Sequence, residues 1–277
     1  MAITNFIPAV WSENLHKTLE QKYIGVANCT REWEGDIKQF GDRVKICGIG
    51  PISVFDYSKN RDIPSPHELE SNVRELVINQ AKAFNFQIDD IELAQSKPNI
   101  MNAAIRNAAD TLSGLADKYI YSLHSRVSLE NIINFSGSDD ELINTIIDAV
   151  ATIKGRGVTE DLVLEVSPTV AAKLYKVKLD MISDNTVLLE NGCMGSIAGC
   201  KVFVSPNIFV SPVGTSSAHN CYLRTKRAIA FAEQLSEIEA YRPENRFADA
   251  VKGLHLYGAN IVRPDEIMVI SVNVGAY

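Results

Sequence analysis

The chain has no CxxC pair, no low-complexity tract, no internal repeat and no surplus of positive charge. Its five cysteines, Cys29, Cys47, Cys193, Cys200 and Cys221, are odd in number and scattered. That pattern excludes a disulfide-stapled scaffold and points to a reduced, intracellular chain. His219 and Cys221 stand close together, but zinc needs further ligands at short spacing, and a strand or its approach accounts for the pair better. No apolar run reaches the roughly 18 residues of a membrane span. The stretch MAITNFIPAVWSEN lacks the basic start and apolar core of a secretory signal, so neither membrane nor export is expected. With 27 Lys and Arg against 34 Asp and Glu, and a formal net charge of −7, a basic surface that grips nucleic acid is excluded as well.

What is present is globular. Hydrophobic residues make up 46% of the 277 positions and charged residues 22%, enough for one large core or two modest ones. Trp11, Leu15, Leu19 and Tyr23 recur on one stripe after Pro8, giving a short helix with Ser12 as cap and Gly25 as stop. Gly35-Asp36 and Gly41-Asp42 mark turns before a strand that begins at Val44 and Ile46, and Ile52 and Val54 continue its alternation. From Asp56 to Asn72 the sequence is polar, with Pro64 and Pro66, and reads as a loop.

Leu76, Ile78, Phe84, Phe86 and Ile88 share one parity, and Asn79, Asn85, Gln87 and Asp89 share the other. This predicts a single strand of about 40 Å, far longer than the usual five or six residues. The expected layout from Val44 to Ile88 is thus an extended hairpin with a polar tip. An isolated hairpin is marginal in water, so such an arm needs a partner to lie on.

A long helix is expected from Pro98 to Leu123, capped by Ser96, with Met101, Ile105, Ala108, Leu112, Leu115, Tyr119 and Leu123 as its apolar stripe. Gly114 and the abundant alanines favour packing on a sheet over a coiled-coil seam. A second helix runs from Asp139 to about Ile153 behind Ser138 and ends at Gly155 and Gly157. Leu162 to Val166 is a short buried strand, Ser167-Pro168 opens a third helix, and Ile197, Val202 and Val204 mark another strand after the Gly199 turn. Strand-like runs at Ala228 to Ala232, Leu254 to Ile261 and Ile267 to Val274 close the chain, so its middle reads as an insertion between parts of one domain.

No catalytic, cofactor or metal site stands out. Glu32, Glu34 and Asp36 place carboxylates at alternate positions, which suits a divalent ion or acid–base work, although acidic turns beside strands more often serve solubility. Gly155-Arg156-Gly157 is too short for a phosphate loop. Ser167, Ser205 and Ser211 sit in no nucleophile elbow, and His16, His67, His124, His219 and His255 are dispersed. Lys154, Arg156, Lys173, Lys176 and Lys178 read as solvated helix faces.

The order of these pieces resembles the major capsid proteins of tailed bacteriophages, of the Hong Kong ninety-seven type. The residues that carry the resemblance are Ile7-Pro8 and Trp11, Glu34-Gly35-Asp36-Ile37, and Gly41-Asp42-Arg43-Val44-Lys45-Ile46. Near the end come Ala228-Ile229-Ala230-Phe231-Ala232, Tyr241-Arg242, Phe247-Ala248-Asp249, Val251-Lys252-Gly253-Leu254, Tyr257-Gly258-Ala259 and Val262-Arg263-Pro264. The resemblance implies an α+β fold with an N-terminal arm (1–28), an extended loop (29–95), a peripheral domain with a spine helix (96–138 and 225–277) and an α/β axial domain (139–224).

It further implies a structural protein, not an enzyme, that forms pentamers and hexamers and then an icosahedral shell around double-stranded DNA. No cofactor is expected. The implied partners are a separate scaffolding protein, a portal and a decoration protein, and the implied location is the virion, with host cytoplasm before assembly. Trp11, Lys59, Arg61, Phe84, Phe86 and Ile88 are the candidate subunit-contact residues. Relatives that weld their subunits use a loop lysine, and Lys59 lies in such a loop, but no catalytic residue is carried over. Two alternatives stay open: an encapsulin-like nanocompartment shell, which shares the fold, and a soluble α/β enzyme using Glu32, Glu34 and Asp36 or the His219 region.

Overall fold

The computed structural model describes residues 15, 17–34, 41–49, 56, 59, 62, 71–89, 100–176, 193–213, 216–245 and 247–274. In chain order the elements are β1 (Arg43–Ile49), β2 (Ser71–Val77), β3 (Gln80–Asp89), α1 (Ile100–Ser122), β4 (Ile132–Phe135), α2 (Asp139–Gly155), β5 (Leu162–Val166) and α3 (Pro168–Lys176). Then follow β6 (Cys193–Ile197), β7 (Cys200–Val204), β8 (Val210–Val213), β9 (Ser216–Thr225), β10 (Ile229–Tyr241), β11 (Ala248–Ile261) and β12 (Ile267–Val274). Residues 17–22 are helical and precede a short 3₁₀ turn, Val26–Asn28.

A three-stranded antiparallel sheet, ordered β10-β11-β3, lies between two layers. Alternation assigns its faces. Ile229, Phe231, Tyr257, Ala259 and Ile261 point to one side and share a core with Ile105, Ala109, Leu112, Ala116 and Ile120 of α1. Ala230, Ala232 and Leu256 point to the other side and pack beneath Ile46, Leu76 and Ile78 at the base of the β1–β2 hairpin. The small residues at 230 and 232 allow that close approach.

The second sheet has seven strands in the order β4-β12-β9-β5-β7-β6, with β8 beside β9. Its β4–β12 and β5–β7 pairs are parallel and the others antiparallel. One face is covered by α2 and α3 through Leu142, Ile146, Ile153, Val170 and Leu174. On the opposite face Tyr222, Ile267 and Val269 join the α1 core. The two sheets therefore share one apolar centre behind α1.

Helix α2 begins with a complete capping box: the Ser138 side chain accepts from the Glu141 N–H, and the Glu141 carboxylate accepts from the Ser138 N–H. Ser138→Ala is expected to cost about 1 kcal/mol. In a chain of this size that lowers Tm by about 2–4 °C, measurable by thermal denaturation. Between β6 and β7, Ala198 and Gly199 both have positive φ, 50° and 80°, the backbone that two-residue hairpin turns require.

Several expectations need correction. The predicted strand Leu76 to Ile88 is two strands in two sheets. At Ile78 and Asn79 the chain leaves β1 and begins pairing with β11. Leu76 and Ile78 consequently lie on one side of the three-stranded sheet, whereas Phe84 and Phe86, of the same parity, pack on the other. On α1 the buried stripe runs through Ala109, Ala116 and Ile120, while Leu115 is 36% exposed. Ile147 of α2 is likewise exposed, and Ala149 and Ile153 take its place in the core. The segment 139–224 does not close its own sheet: β4 and β12 come from outside it, and β12 lies between β4 and β9. Strands β4 and β8 have no counterpart in the sequence reading, β9 answers to the strand expected around His219 and Cys221, and β10 extends well beyond Ala232.

Candidate assembly surface and its internal supports

The N-terminal segment from Tyr23 to Glu34 is held from three directions. Asp117, on α1, accepts hydrogen bonds from the backbone N–H groups of Ile24 at 3.2 Å and Val26 at 3.0 Å. Burial pushes its carboxyl up to about 6, against the lowering effect of those N–H donors. From the seven-stranded sheet, Arg224 on β9 and Glu165 on β5 reach the same segment, and both are 0% exposed.

The Arg224 guanidinium donates to both Glu165 oxygens at 3.1 and 3.0 Å, to the Gly25 carbonyl at 2.9 Å and to the Asn28 carbonyl. Asn28 Nδ2 donates to Glu165 Oε1 at 3.0 Å and to the Ile24 carbonyl at 3.1 Å. Burial alone would lower the Arg224 pKa, but the Glu165 carboxylate holds it above its ordinary value, so the guanidinium is charged.

The third support comes from the three-stranded sheet. Glu233 on β10 accepts from the Tyr23 hydroxyl at 2.5 Å and the Arg31 guanidinium at 2.5 Å, and its carboxylate lies 2.8 Å from His255 Nε2 on β11. Burial would raise the Glu233 carboxyl, but His255, Tyr23 and Arg31 outweigh it and hold it below the usual carboxylate range. Thr30 completes the seam as a one-residue parallel bridge on the outer edge of β10: its N–H donates to the Ile229 carbonyl and its carbonyl accepts from the Phe231 N–H, both at 3.0 Å.

The hairpin is seated as firmly. A Cβ at Gly258 of β11 would stand 2.2 Å from the Val77 carbonyl oxygen, so the crossing of β2 over β11 depends on the missing side chain. Asn260 Nδ2 donates to the Glu75 carbonyl at 2.7 Å, and Arg74 donates to the Ile261 carbonyl at 3.2 Å. The base of the β1–β2 hairpin is thus fixed against β11. Its strands pair from Arg43↔Val77 to Ile49↔Ser71.

The structure separates the predicted contact residues. Trp11 and Arg61 lie outside the described residues, and Lys59 is an exposed turn residue. Phe84 and Phe86 stack with ring centroids 6.1 Å apart and pack against the chain's own core, and Ile88 is 6% exposed. The expectation that this strand is free of its own globule is therefore corrected for 80–89. Glu34 is paired with Arg31 at 2.7 Å, Glu32 is exposed, and Asp36 lies outside the described residues. His219 and Cys221 are buried neighbours on one face of β9, and His219 lies among the hydroxyls of Thr169 and Ser217.

Lys173 pairs with Asp139 at 3.5 Å, Arg156 donates to Asn131 Oδ1 at 2.8 Å, and Lys178 lies outside the described residues. Among the described residues no three His, Cys, Asp or Glu side chains come together to hold a metal ion, and no helix is long and apolar enough to cross a membrane.

The supporting residues Asn28, Asp117, Glu165, Arg224, Glu233 and His255 were not among the sequence candidates. The available signal was a charge inside an apolar strand: Glu165 interrupts Leu162-Val163-Leu164 and Val166, and Arg224 follows Cys221-Tyr222-Leu223.

No protein-family model matches the sequence, and no curated protein matches it. Solved structures do. A chain from Mycobacterium phage Che8 is 23% identical, with 90% of each chain covered and a TM-score of 0.66. A chain of the capsid of Ralstonia phage GP4 is 12% identical, with 94% of this chain and 91% of that one covered and a TM-score of 0.70. The holo-SrpI encapsulin complex from Synechococcus elongatus PCC 7942 is similar over 76% of this chain and 80% of that chain, at 10% identity and a TM-score of 0.58. The chain has the α+β fold of these solved chains.

Proposed function

We propose that this chain is a shell-forming subunit, the major capsid protein of a tailed phage of the Hong Kong ninety-seven type, which assembles through pentamers and hexamers into an icosahedral shell around double-stranded DNA. The observation that carries the reading is the fold match over nine-tenths of the chain to phage structures, one of them a capsid. The acidic composition accords with it, since a shell that confines DNA has no need to bind it tightly, and like charge limits sticking. In this reading the role is structural, the scaffolding, portal and decoration proteins are separate chains, and the subunit ends in the virion after folding in the host cytoplasm.

The encapsulin reading is favoured by one observation, the match to the encapsulin complex. It differs in cargo, being built around protein instead of DNA. Electron microscopy of the purified protein tests the shared premise. Uniform closed particles or flat five- and six-membered rings are expected, and a stable monomer or dimer at high concentration overturns it. Particles from the native source then divide the two readings: nuclease-protected double-stranded DNA is the capsid outcome, and an enclosed enzyme is the nanocompartment outcome.

A further inference from the structure

A cleft of about 490 Å³ opens between the helical residues 17–22 and α1, a size within the range of small-molecule sites. Its two walls are fixed from behind. Leu15 and Leu19 share the apolar core with Ile105, Ala109 and Leu112 of α1, and Asp117 holds the backbone that follows through the N–H groups of Ile24 and Val26. Helical spacing then sets what faces the opening. Lys17 with Gln21, and Thr18 with Lys22, stand four residues apart on one wall, and Arg106 with Asp110 stand four apart on the other.

The short helix sorts its charges. Glu20, the one acid in 17–22, lines a separate cleft and reaches Arg31 at 4.0 Å. Among the described residues, three cations, Lys17, Lys22 and Arg106, and one carboxylate, Asp110, therefore line the larger cleft. Asp110 meets Lys22 at 3.4 Å with both side chains about half exposed, so the pair is weak and its lysine is open to a stronger anion. This local excess of positive charge runs against the formal net charge of −7.

We propose that this cleft binds a multiply charged phosphate group. Arg106 supplies a planar fork of donors, Lys17 and Lys22 supply point charges, and Thr18 and Gln21 add a hydroxyl and an amide. Phosphate oxygens gathered on one centre can meet these groups together. The carboxylates of an acidic peptide are instead spread along a chain and bring apolar groups with them, for which Ile105 is the one apolar residue among the described lining. A free diphosphate and the backbone of a nucleic acid share the required chemistry, and experiment separates them. The proposal goes beyond the shell reading and does not rest on it, because the site lies within one chain.

Isothermal titration of the full chain with pyrophosphate in chloride buffer tests it. Saturable binding is expected. Lys17→Gln with Arg106→Gln, both at exposed positions, should weaken it at least about tenfold, since each removes a charged donor. Asp110→Asn should tighten it about threefold, because the carboxylate no longer competes for Lys22. Lys118→Gln, an exposed charge on α1 outside the cleft lining, should leave it unchanged and controls for loss of charge alone. A short blunt DNA duplex added to the pyrophosphate complex then identifies the source. Displacement of pyrophosphate, with the same dependence on the substitutions, assigns the site to nucleic-acid phosphate; no displacement assigns it to a free anion. Pyrophosphate binding that is absent, or unaffected by Lys17→Gln with Arg106→Gln, overturns the proposal, as does tighter binding of a glutamate-rich peptide. Each of these results leaves the shell reading to its own test, the formation of closed particles or rings.

Discussion

Arg224→Ala is expected to cost about 3–5 kcal/mol, the range for removing one partner of a buried ion pair. For a chain of this size that lowers Tm by roughly 10 °C, with much of the protein lost to aggregation during expression. The size follows from what is left behind. Glu165 would remain 0% exposed with its carboxylate facing only Asn28, and the carbonyls of Gly25 and Asn28 would lose their charged donor. Because this one side chain ties the N-terminal segment to the seven-stranded sheet, the damage should spread to that segment.

Two readouts distinguish the mechanism from a simple cavity. In the variant, amides of 24–30 should exchange faster while those of α2 stay protected. The double substitution Arg224→Met with Glu165→Leu should recover part of the loss, since it removes both charges together. A Tm change of under about 3 °C for Arg224→Ala would sink the account.

Gly258→Ala is expected to destabilise by roughly 3 kcal/mol, at the upper end for overpacking, because its clash is with backbone instead of a movable side chain. The added Cβ would stand 2.2 Å from the Val77 oxygen and 2.9 Å from its carbonyl carbon. Relief requires β2 to lift from β11, which would draw Leu76 and Ile78 out of their contact with Ala230 and Ala232. The loss should therefore be local. Limited proteolysis should cut the hairpin base in the variant and spare the seven-stranded sheet, and under the proposed shell function assembly should fail even where the chain remains folded. Gly199→Ala is the contrasting case: φ there is +80° and nothing lies within 4 Å, so only the left-handed backbone cost of about 1–2 kcal/mol is expected. Equal effects of the two substitutions would contradict the steric seat at Gly258.

The helices were legible because their signals are local. The α2 cap, the Gly157 stop and the Leu162–Val166 strand can be read from a few neighbouring residues, and all occur in the structure. The strand Leu76 to Ile88 failed for a physical reason. Residue parity records which side chains share a face only while the chain stays in one sheet. The junction at Ile78–Asn79 moves the chain to a second sheet, so residues of one parity end on opposite sides of it.

The length that made this run look like an arm is thus the sum of two ordinary strands, and it no longer supports the shell reading by itself. The fold match does. The buried polar supports were unreadable because each joins residues far apart in sequence, Asn28 with Glu165 and Arg224, and Tyr23 with Glu233.

The placement of β12 has a temporal consequence. It lies between β4 and β9, late in the sequence yet interior to the sheet. During synthesis at about 5–20 residues per second, β4 would emerge several seconds before the strand that joins it to β9. Until then the sheet is in two parts, and the clamp between Asn28 and Arg224 closes against an incomplete support. Contacts of such sequence separation also fold slowly. A nascent chain therefore cannot complete this sheet until most of its sequence has emerged, so folding of the sheet waits for a chain that is nearly whole.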